Sequence, residues 1–365
     1  EKLELERLAG LYDRVDGSLD PAYDYKLENI RRGVNTDWTT KPLRNAFTHS
    51  HSATMTGRGG GIEYKVTGRL SNTYGEMKGD YRRNYGVNVS LSYRFARDVV
   101  ATYQLAYTMT EGKNSPYGSF AQYTKLNPYN PVYDEDGEYI RNYYFDPVNR
   151  TMERQVNPLY NATLASFSKS QNKAVTNYLS LRWDMNETLF ITGNVSVRQG
   201  DTWNKVYVSP EDASFTLQEI PQNKKGTYTA YSTETTNWAG KLVLNYRLPL
   251  NDAGTTVLSL SAGTDKSSSM QVKAEGFMKD KMTDIKFASQ YATTRPVGGE
   301  KESAEVGFFV NGSLDLLGRY FVNASYKTAG SSKFGSKHRF APVWSAGIGW
   351  NLHKEGFMNF DWLNV

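Results

Sequence analysis

Val87-Asn88-Val89-Ser90-Leu91-Ser92-Tyr93-Arg94-Phe95 alternates apolar and polar residues without a break. A period of two marks a strand with one side in an apolar medium and the other in water. Three residues further on the pattern restarts with Ala101, Tyr103, Leu105, Tyr107 and Met109. It recurs along most of the chain. A soluble sandwich can produce one such pair, but a long, tyrosine-rich series of them predicts an all-β, antiparallel transmembrane β-barrel segment. The register then puts Val87, Leu91, Leu179, Leu181, Leu242 and Leu244 toward lipid. Ser90, Arg94, Arg182 and Lys241 face the lumen.

Composition agrees with that class. The chain has 365 residues, of which 39% are hydrophobic, and its mean hydropathy is -0.61. No run of about 18 apolar residues occurs, which excludes transmembrane helices but not strands, where only alternate residues meet lipid. The 26 tyrosines, 16 phenylalanines and 7 tryptophans suit the aromatic girdles of a barrel. Cysteine is absent, which removes disulfides and thiolate metal sites and fits an oxidising cell envelope. The net charge of +5 raises nucleic acid as a partner, but the basic residues are scattered. Arg82-Arg83 and Lys224-Lys225 are the densest clusters. A solvated surface or lumen accounts for them, and no nucleic-acid partner is expected.

The first residues, Glu1 to Arg7, carry neither methionine nor a signal peptide, so an exported barrel is expected to have more chain upstream. Leu3, Leu5, Leu8, Leu11 and Val15 suggest a short helix, and residues 1–45 are expected to link a plug to the barrel. From 46 to 365 about eleven strands are expected. They lie near 46–56, 62–74, 81–95, 99–110, 174–185, 189–199, 236–248, 255–264, 303–316, 320–329 and 343–352. Gly57-Arg58-Gly59-Gly60-Gly61 closes the first hairpin. Short turns alternate with long loops near 111–173, 200–235 and 265–302. That asymmetry is typical of outer-membrane barrels and places the long loops outside the cell.

These residues resemble the SusC/RagA family of TonB-dependent outer-membrane transporters. Asn35-Thr36-Asp37-Trp38, with His51 six residues before Gly57, looks like the family's entry from plug into barrel. Asn127-Pro128-Tyr129 with Asp134-Glu135-Asp136-Gly137 is similar to its early external loop. The most specific match runs from Arg319-Tyr320-Phe321-Val322-Asn323-Ala324-Ser325 through Gly330-Ser331-Ser332-Lys333-Phe334-Gly335 and Arg339-Phe340. It continues through Trp344-Ser345-Ala346-Gly347-Ile348-Gly349-Trp350-Asn351 to Glu355-Gly356-Phe357-Met358. Ala329 departs from the acidic or amide residue usual before the Gly-Ser-Ser turn. The resemblance implies a twenty-two-strand barrel of which this chain is roughly the first half. Half a barrel leaves two strand edges unpaired, which lipid does not tolerate, so the chain is expected to be a fragment. It also implies import of large nutrients, glycan oligosaccharides or peptides, across the outer membrane of a Gram-negative cell. A SusD-like surface lipoprotein would act as lid, and the TonB complex would pull on the plug. No cofactor and no covalent chemistry are implied. A non-transporting cell-surface β-protein, an adhesin or glycan-binding module, is the alternative.

His49 and His51 lie two apart on a strand and share a face, but two histidines alone bind metal weakly, so they are read as lumen residues. Asp134-Glu135-Asp136-Gly137-Glu138 lacks the spaced ligands of a calcium loop, and a β-turn accounts for it. With four histidines and no cysteine, no nucleophile and base pair stands out, and no enzyme activity is expected. The loops differ from the strands in holding tyrosines among amides and acids. Tyr117, Tyr129, Tyr133, Tyr143, Tyr144 and Trp203 are the candidate contacts for substrate or lid. Flat aromatic faces beside hydrogen-bonding groups suit sugar rings and extended peptides.

Overall fold

A computed structural model describes residues 1–143, 155–216, 220–250, 254–277, 284–288, 290–293, 295–335 and 339–358. Two helices come first, α1 (Lys2–Leu8) and α2 (Pro21–Arg31). Only α1 carries the leucine pattern expected of a helix. α2 is set by Asp20, whose carboxylate accepts from the Ala22 amide, and by Pro21 at the first helical position.

The strands follow as β1 (Phe47–Gly59), β2 (Ile62–Tyr74), β3 (Tyr81–Ala96) and β4 (Val99–Lys113), then α3 (Phe120–Thr124). A two-residue pair, β5 (Asn142–Tyr143) and β6 (Gln155–Val156), precedes α4 (Pro158–Thr163). Beyond α4 run β7 (Phe167–Asp184), β8 (Leu189–Val208), β9 (Thr227–Pro249) and β10 (Gly254–Phe277). The series ends with the short β11 (Gln290–Tyr291), β12 (Val297–Leu316), β13 (Tyr320–Ser331) and β14 (Phe340–Trp350). The eleven long strands form one antiparallel sheet in sequence order, with β11 added at β10. β1 and β14 are its two edges. Each long strand pairs with its predecessor, so every neighbour is reached by a turn or a loop and no crossover is needed.

The expected division into two faces holds across the ladder. Ala101 lies opposite Leu181, which lies opposite Gly193, then Leu242, Ala262 and Phe308 on successive strands. Cross-strand partners share a face, so Val87, Leu91, Leu179, Leu181, Leu242 and Leu244 all fall on one side. Ser90, Arg94, Arg182 and Lys241 fall on the other. On β4 the apolar side runs uncharged from Val99 to Met109. At about 3.3 Å per residue and a tilt of about 40°, that stretch rises about 25–28 Å, the height of a lipid-facing band. Asn177, a polar residue within the band, accepts from the Tyr103 hydroxyl at 2.7 Å.

Two expectations need correction. His49 and His51 are not lumen residues. His51 pairs with Leu70, which pairs with Tyr85, so both histidines share the apolar face at its upper margin. Phe47, Ala53 and Met55 share the histidines' parity, opposite Thr48, Ser50, Ser52, Thr54 and Thr56, so the two polar histidines sit inside an otherwise apolar set. The loops are also shorter than expected. The strands run on past the apolar band, so the connections shrink to 114–166, 209–226 and 278–296. Above the band the period of two fades while the backbone ladder continues.

Long connections and short turns occupy opposite ends of the sheet. Gly60 and Gly61 turn the β1–β2 hairpin with φ of 58° and 80°, angles that only glycine adopts cheaply. Arg97-Asp98 and Leu317-Gly318-Arg319 close turns at the same end. Residues 251–253 lie outside the described residues. Phe47 pairs with Tyr74 at the long-loop end, so residues 1–45 reach the sheet from that side.

Candidate functional site

The two stretches that carry the family resemblance in the first part of the chain dock against each other. Trp38, 2% exposed, donates its indole N–H to the Asn127 carbonyl at 3.1 Å. The Thr36 amide donates to the Pro128 carbonyl at 2.7 Å, and Asn130 turns back onto Asn127. Around Trp38 pack Tyr123, Tyr143 and Leu159, with Met77, Tyr117, Leu126, Val132 and Ile140 behind them. The Tyr143 ring meets the indole edge-on at 5.9 Å. A small core of its own therefore sits at the long-loop end of the sheet.

Local capping holds that core. Asn157 is fully buried and caps α4, its side-chain oxygen accepting from Leu159 and its amide donating to the Val132 carbonyl. Pro158 follows at the first helical position, where its missing N–H costs nothing. Ser119 and Gln122 form a capping box on α3. The neighbouring loop joins in. Asn161 donates to Asp212 at 3.1 Å and accepts from the Ala213 amide, and Arg141 reaches the Glu211 carbonyl. Lys2 donates to the Asn127 side chain, and Arg32 pairs with Glu135 at 3.0 Å. The latter pair is exposed and worth at most about 1 kcal/mol.

The candidate aromatics divide sharply by exposure. Tyr129, 7% exposed, and Tyr143, 4% exposed, are core residues and offer a ligand no free face. Burial pushes the Tyr143 hydroxyl, like that of Tyr123, well above the ordinary range. Tyr117 is half-buried, with the Lys78 ammonium 5.8 Å from its ring centre and its carbonyl accepting from Tyr123. Trp203 is not on a loop. It sits on β8, bonded to Gln171 at 3.1 Å, on the same face as the apolar band. Tyr144 lies outside the described residues.

Tyr133 alone among the candidates presents a large surface. It is 49% exposed and packs ring to ring with Tyr139, itself 37% exposed, at 4.7 Å. Between them Asp134 closes a tight turn by accepting from the Asp136 and Glu138 amides, with Gly137 at φ 84°. Asp134 is thereby committed to its own backbone. The result is a stiff knob with two tyrosines at its base and Glu135 and Asp136 at its tip.

One feature of the polar face carries no sequence motif. Lys241, Asp265, Glu305 and Lys327, from four adjacent strands, surround a hollow of about 410 Å³ floored by Gly263 and Gly307. These residues are scattered over almost ninety positions, and only the register brings them together. Ala329 stands opposite Gly307 and adds no polar group there.

A two-faced antiparallel sheet, with short turns at one end and built loops at the other, is the architecture of a transmembrane β-barrel wall. No family model matches the chain. Over 347 residues it is 23% identical to the TonB-dependent receptor SusC of Bacteroides thetaiotaomicron, covering 89% of this chain and 33% of that protein. It is 20% identical to the TonB-dependent receptor P26 of Formosa agariphila, covering 89% and 32%. Among solved structures it superposes on the RagAB peptide importer in its closed-closed state with a TM-score of 0.74 and 14% identity. That match covers 90% of this chain and 37% of the other. The chain thus spans about a third of the curated relatives it matches. Sequence and fold together resemble those of a SusC/RagA-type barrel segment.

Proposed function

We propose that this chain forms the wall and loop platform of a TonB-dependent outer-membrane transporter that imports large nutrients, peptides or glycan oligosaccharides. In this reading the long loops face outward and receive a SusD-like surface lipoprotein, while the TonB complex acts through a plug that fills the polar side of the barrel. Residues 1–45, expected as the link from the plug, meet the sheet at its long-loop end. We therefore assign them to the outer layer, joining β1 to whatever precedes it. The observation that carries the proposal is the pairing of a lipid-compatible face with a preorganised loop core at one end. Ordering such loops in advance lowers the entropy lost when a partner or substrate binds. No group in the described residues is assigned covalent chemistry.

Tyr133 and Tyr139 are the contacts we assign first, because an exposed aromatic pair held by a closed turn offers area with little further ordering. Half-buried Tyr117 follows, whereas Trp203, on the apolar face of β8, is not assigned to substrate or lid. The test uses the full-length transporter with Tyr133→Ala and Tyr139→Ala combined. Assembly should be unchanged, while uptake of the limiting nutrient or co-purification of the lipoprotein falls at least about tenfold, as loss of an interface anchor of about 1.4 kcal/mol or more implies. Unchanged uptake and unchanged co-purification would remove the assignment. Retained ligand binding in a full-length protein that imports nothing would favour the non-transporting surface protein instead.

A further inference from the structure

Above the apolar band, the lipid side of the sheet changes character on β3, β4, β7 and β8. Lys113 lies directly opposite Lys169, and Lys169 directly opposite Lys205, so three lysines stand abreast on neighbouring strands. Lys173 lies on the same face of β7, at the margin of the band, and Arg83 on β3. The contacts confirm the side. Lys169 lies 5.0 Å from the Phe167 ring, Lys205 lies 5.4 Å from the Trp203 ring, and Arg83 lies 4.8 Å from the Tyr81 ring.

Like charges directly opposite one another destabilise a sheet, so a row of this kind calls for a counter-charge. Lys205 has one, Asp284 at 3.6 Å. Among the described residues Lys113, Lys169 and Lys173 have no carboxylate within salt-bridge distance. Glu111 and Asp201 share the face. Glu111 accepts from Gln171 at 2.9 Å, and Asp201 lies directly opposite Lys173 and Glu234. Lys113 and Lys169 are therefore the two that face no carboxylate across the ladder. Just above the band, β9, β10 and β12 instead carry Glu234, Lys266, Glu300 and Glu302, with Lys266 paired to Glu302 at 3.1 Å. The positive excess is therefore confined to one arc. Above it, Phe167, Tyr207 and Tyr228 are covered by Ile285 and Ala288, which leaves the lysines as a shelf between that cover and the hydrocarbon level.

We propose that Lys113, Lys169 and Lys173, flanked by Arg83 and Lys205, bind the phosphate groups of an outer-leaflet lipid headgroup. The inference rests on the outward-loop, membrane-spanning reading given above. A phosphate supplies the missing counter-charge, and ammonium groups on flexible stems can converge on it. The acyl chains of the same molecule would lie against Val175, Leu179 and Tyr107 directly below. Basic residues at a membrane surface attract anionic headgroups additively, so the effect grows with each lysine.

The experiment uses the full-length transporter in nanodiscs of neutral phospholipid doped with diphosphorylated lipid A, or with the same lipid enzymatically dephosphorylated. Lipid retained per protein is counted by native mass spectrometry. We expect at least tenfold preference for the phosphorylated form. That preference should be lost in a Lys113→Gln, Lys169→Gln, Lys173→Gln triple variant and kept when the same three are changed to arginine. Competition by millimolar inorganic phosphate should be weak, because the acyl contacts are missing. Equal retention of the two lipids by the unmodified protein overturns the proposal, whether or not the glutamine variant assembles. So does equal preference in the glutamine variant, and so does full displacement by inorganic phosphate. Failure of the protein to insert into the discs at all would instead strike the membrane reading beneath it.

Discussion

The sheet and the loop unit above it are stabilised in different ways. Along the ladder, each residue contributes a backbone hydrogen-bond pair and one side chain to a face, and few strand residues are deeply buried. Face polarity against lipid and water supplies the specificity, with little packing among side chains. At the long-loop end the reverse holds. Trp38, Tyr123, Tyr143 and Leu159 make a packed core between segments about ninety residues apart, and buried asparagines at 127, 130 and 157 fix its backbone. A barrel wall tolerates substitution within a polarity class, whereas the loop unit behaves like a small globular domain sensitive to volume. The difference can be tested by perturbing each region in the way that should hurt only that one.

The largest effect should come from Trp38→Ala. Removing a buried tryptophan costs about 3–5 kcal/mol, and the loss should fall on the loop unit. Limited proteolysis should open residues 114–166 to cleavage while the heat-resistant mobility of the full-length barrel is unchanged. Loss of barrel assembly itself would show that loop core and wall fold as one unit and would break the comparison.

Next comes polarity on the wall. Leu181→Arg should cost about 2–4 kcal/mol in the membrane, and the neighbouring Ser180→Arg close to nothing, because they lie on opposite faces. Equilibrium unfolding of the full-length protein in lipid vesicles measures both. Equal costs would mean that the face assignment drawn through Ala101, Leu181, Gly193 and Leu242 is wrong.

These two tests also mark where the sequence was legible. Wherever Leu, Val or Tyr alternates with Ser, Arg or Asn, as in 87–95 and 175–185, strand, face and register follow from residue type. On β1 the histidines mislead when taken apart from their strand: Phe47, Ala53 and Met55 share their parity, opposite Thr48, Ser50, Ser52 and Thr54, and mark it as the apolar face. Reading by residue type fails at the loop end of β9 and β10, which extend to Thr227 and Phe277 beyond the alternating stretch, where Tyr228 is covered by Ile285 and Ala288. α2 went unseen because its signal lies in Asp20 and Pro21 and not in an apolar stripe. For the candidate site, aromatic composition could not separate the packing tyrosines from the exposed ones. Tyr129 and Tyr133 look alike in sequence, and only burial separates the packing ring from the exposed one.

A smaller effect tests the turn end of the wall. Leu317 adopts φ 58°, the left-handed region, and with Gly318 forms the centre of a β-turn closed by the Arg319 amide on the Leu316 carbonyl. A residue with a branched hydrocarbon side chain is strained there by about 1 kcal/mol. The Gly318 amide donates to Asp315 at 2.8 Å, which holds the turn in place despite the strain. Leu317→Asn should raise stability in vesicles by about 0.5–1 kcal/mol, since asparagine tolerates this conformation and Asn-Gly is the favoured pair for such a turn. A loss of stability would mean that the exposed leucine anchors the turn in lipid.

The smallest effect concerns Glu355, just beyond β14 at the same end. Its carboxylate accepts from Trp350 at 3.0 Å and Tyr320 at 2.7 Å, with Arg319 at 3.4 Å. The Trp350 and Tyr320 hydrogen bonds, and then the Arg319 charge, hold its pKa below the ordinary 4.5. A carboxylate lowered by folding stabilises the folded state above its unfolded pKa, and that contribution fades as pH falls through the lower folded value. Stability should therefore be flat above about pH 5 and decline slightly toward pH 3, on top of whatever other carboxylates contribute. In Glu355→Gln that increment of slope should be absent, and a constant small loss should appear near neutrality because glutamine accepts these donors more weakly. Unfolding midpoints of the two proteins measured from pH 3 to 7 in vesicles should converge at the acid end. Parallel curves over the whole range would show that Glu355 is solvated in the membrane-bound protein and that the cluster it closes against Trp350 and Tyr320 is not maintained there.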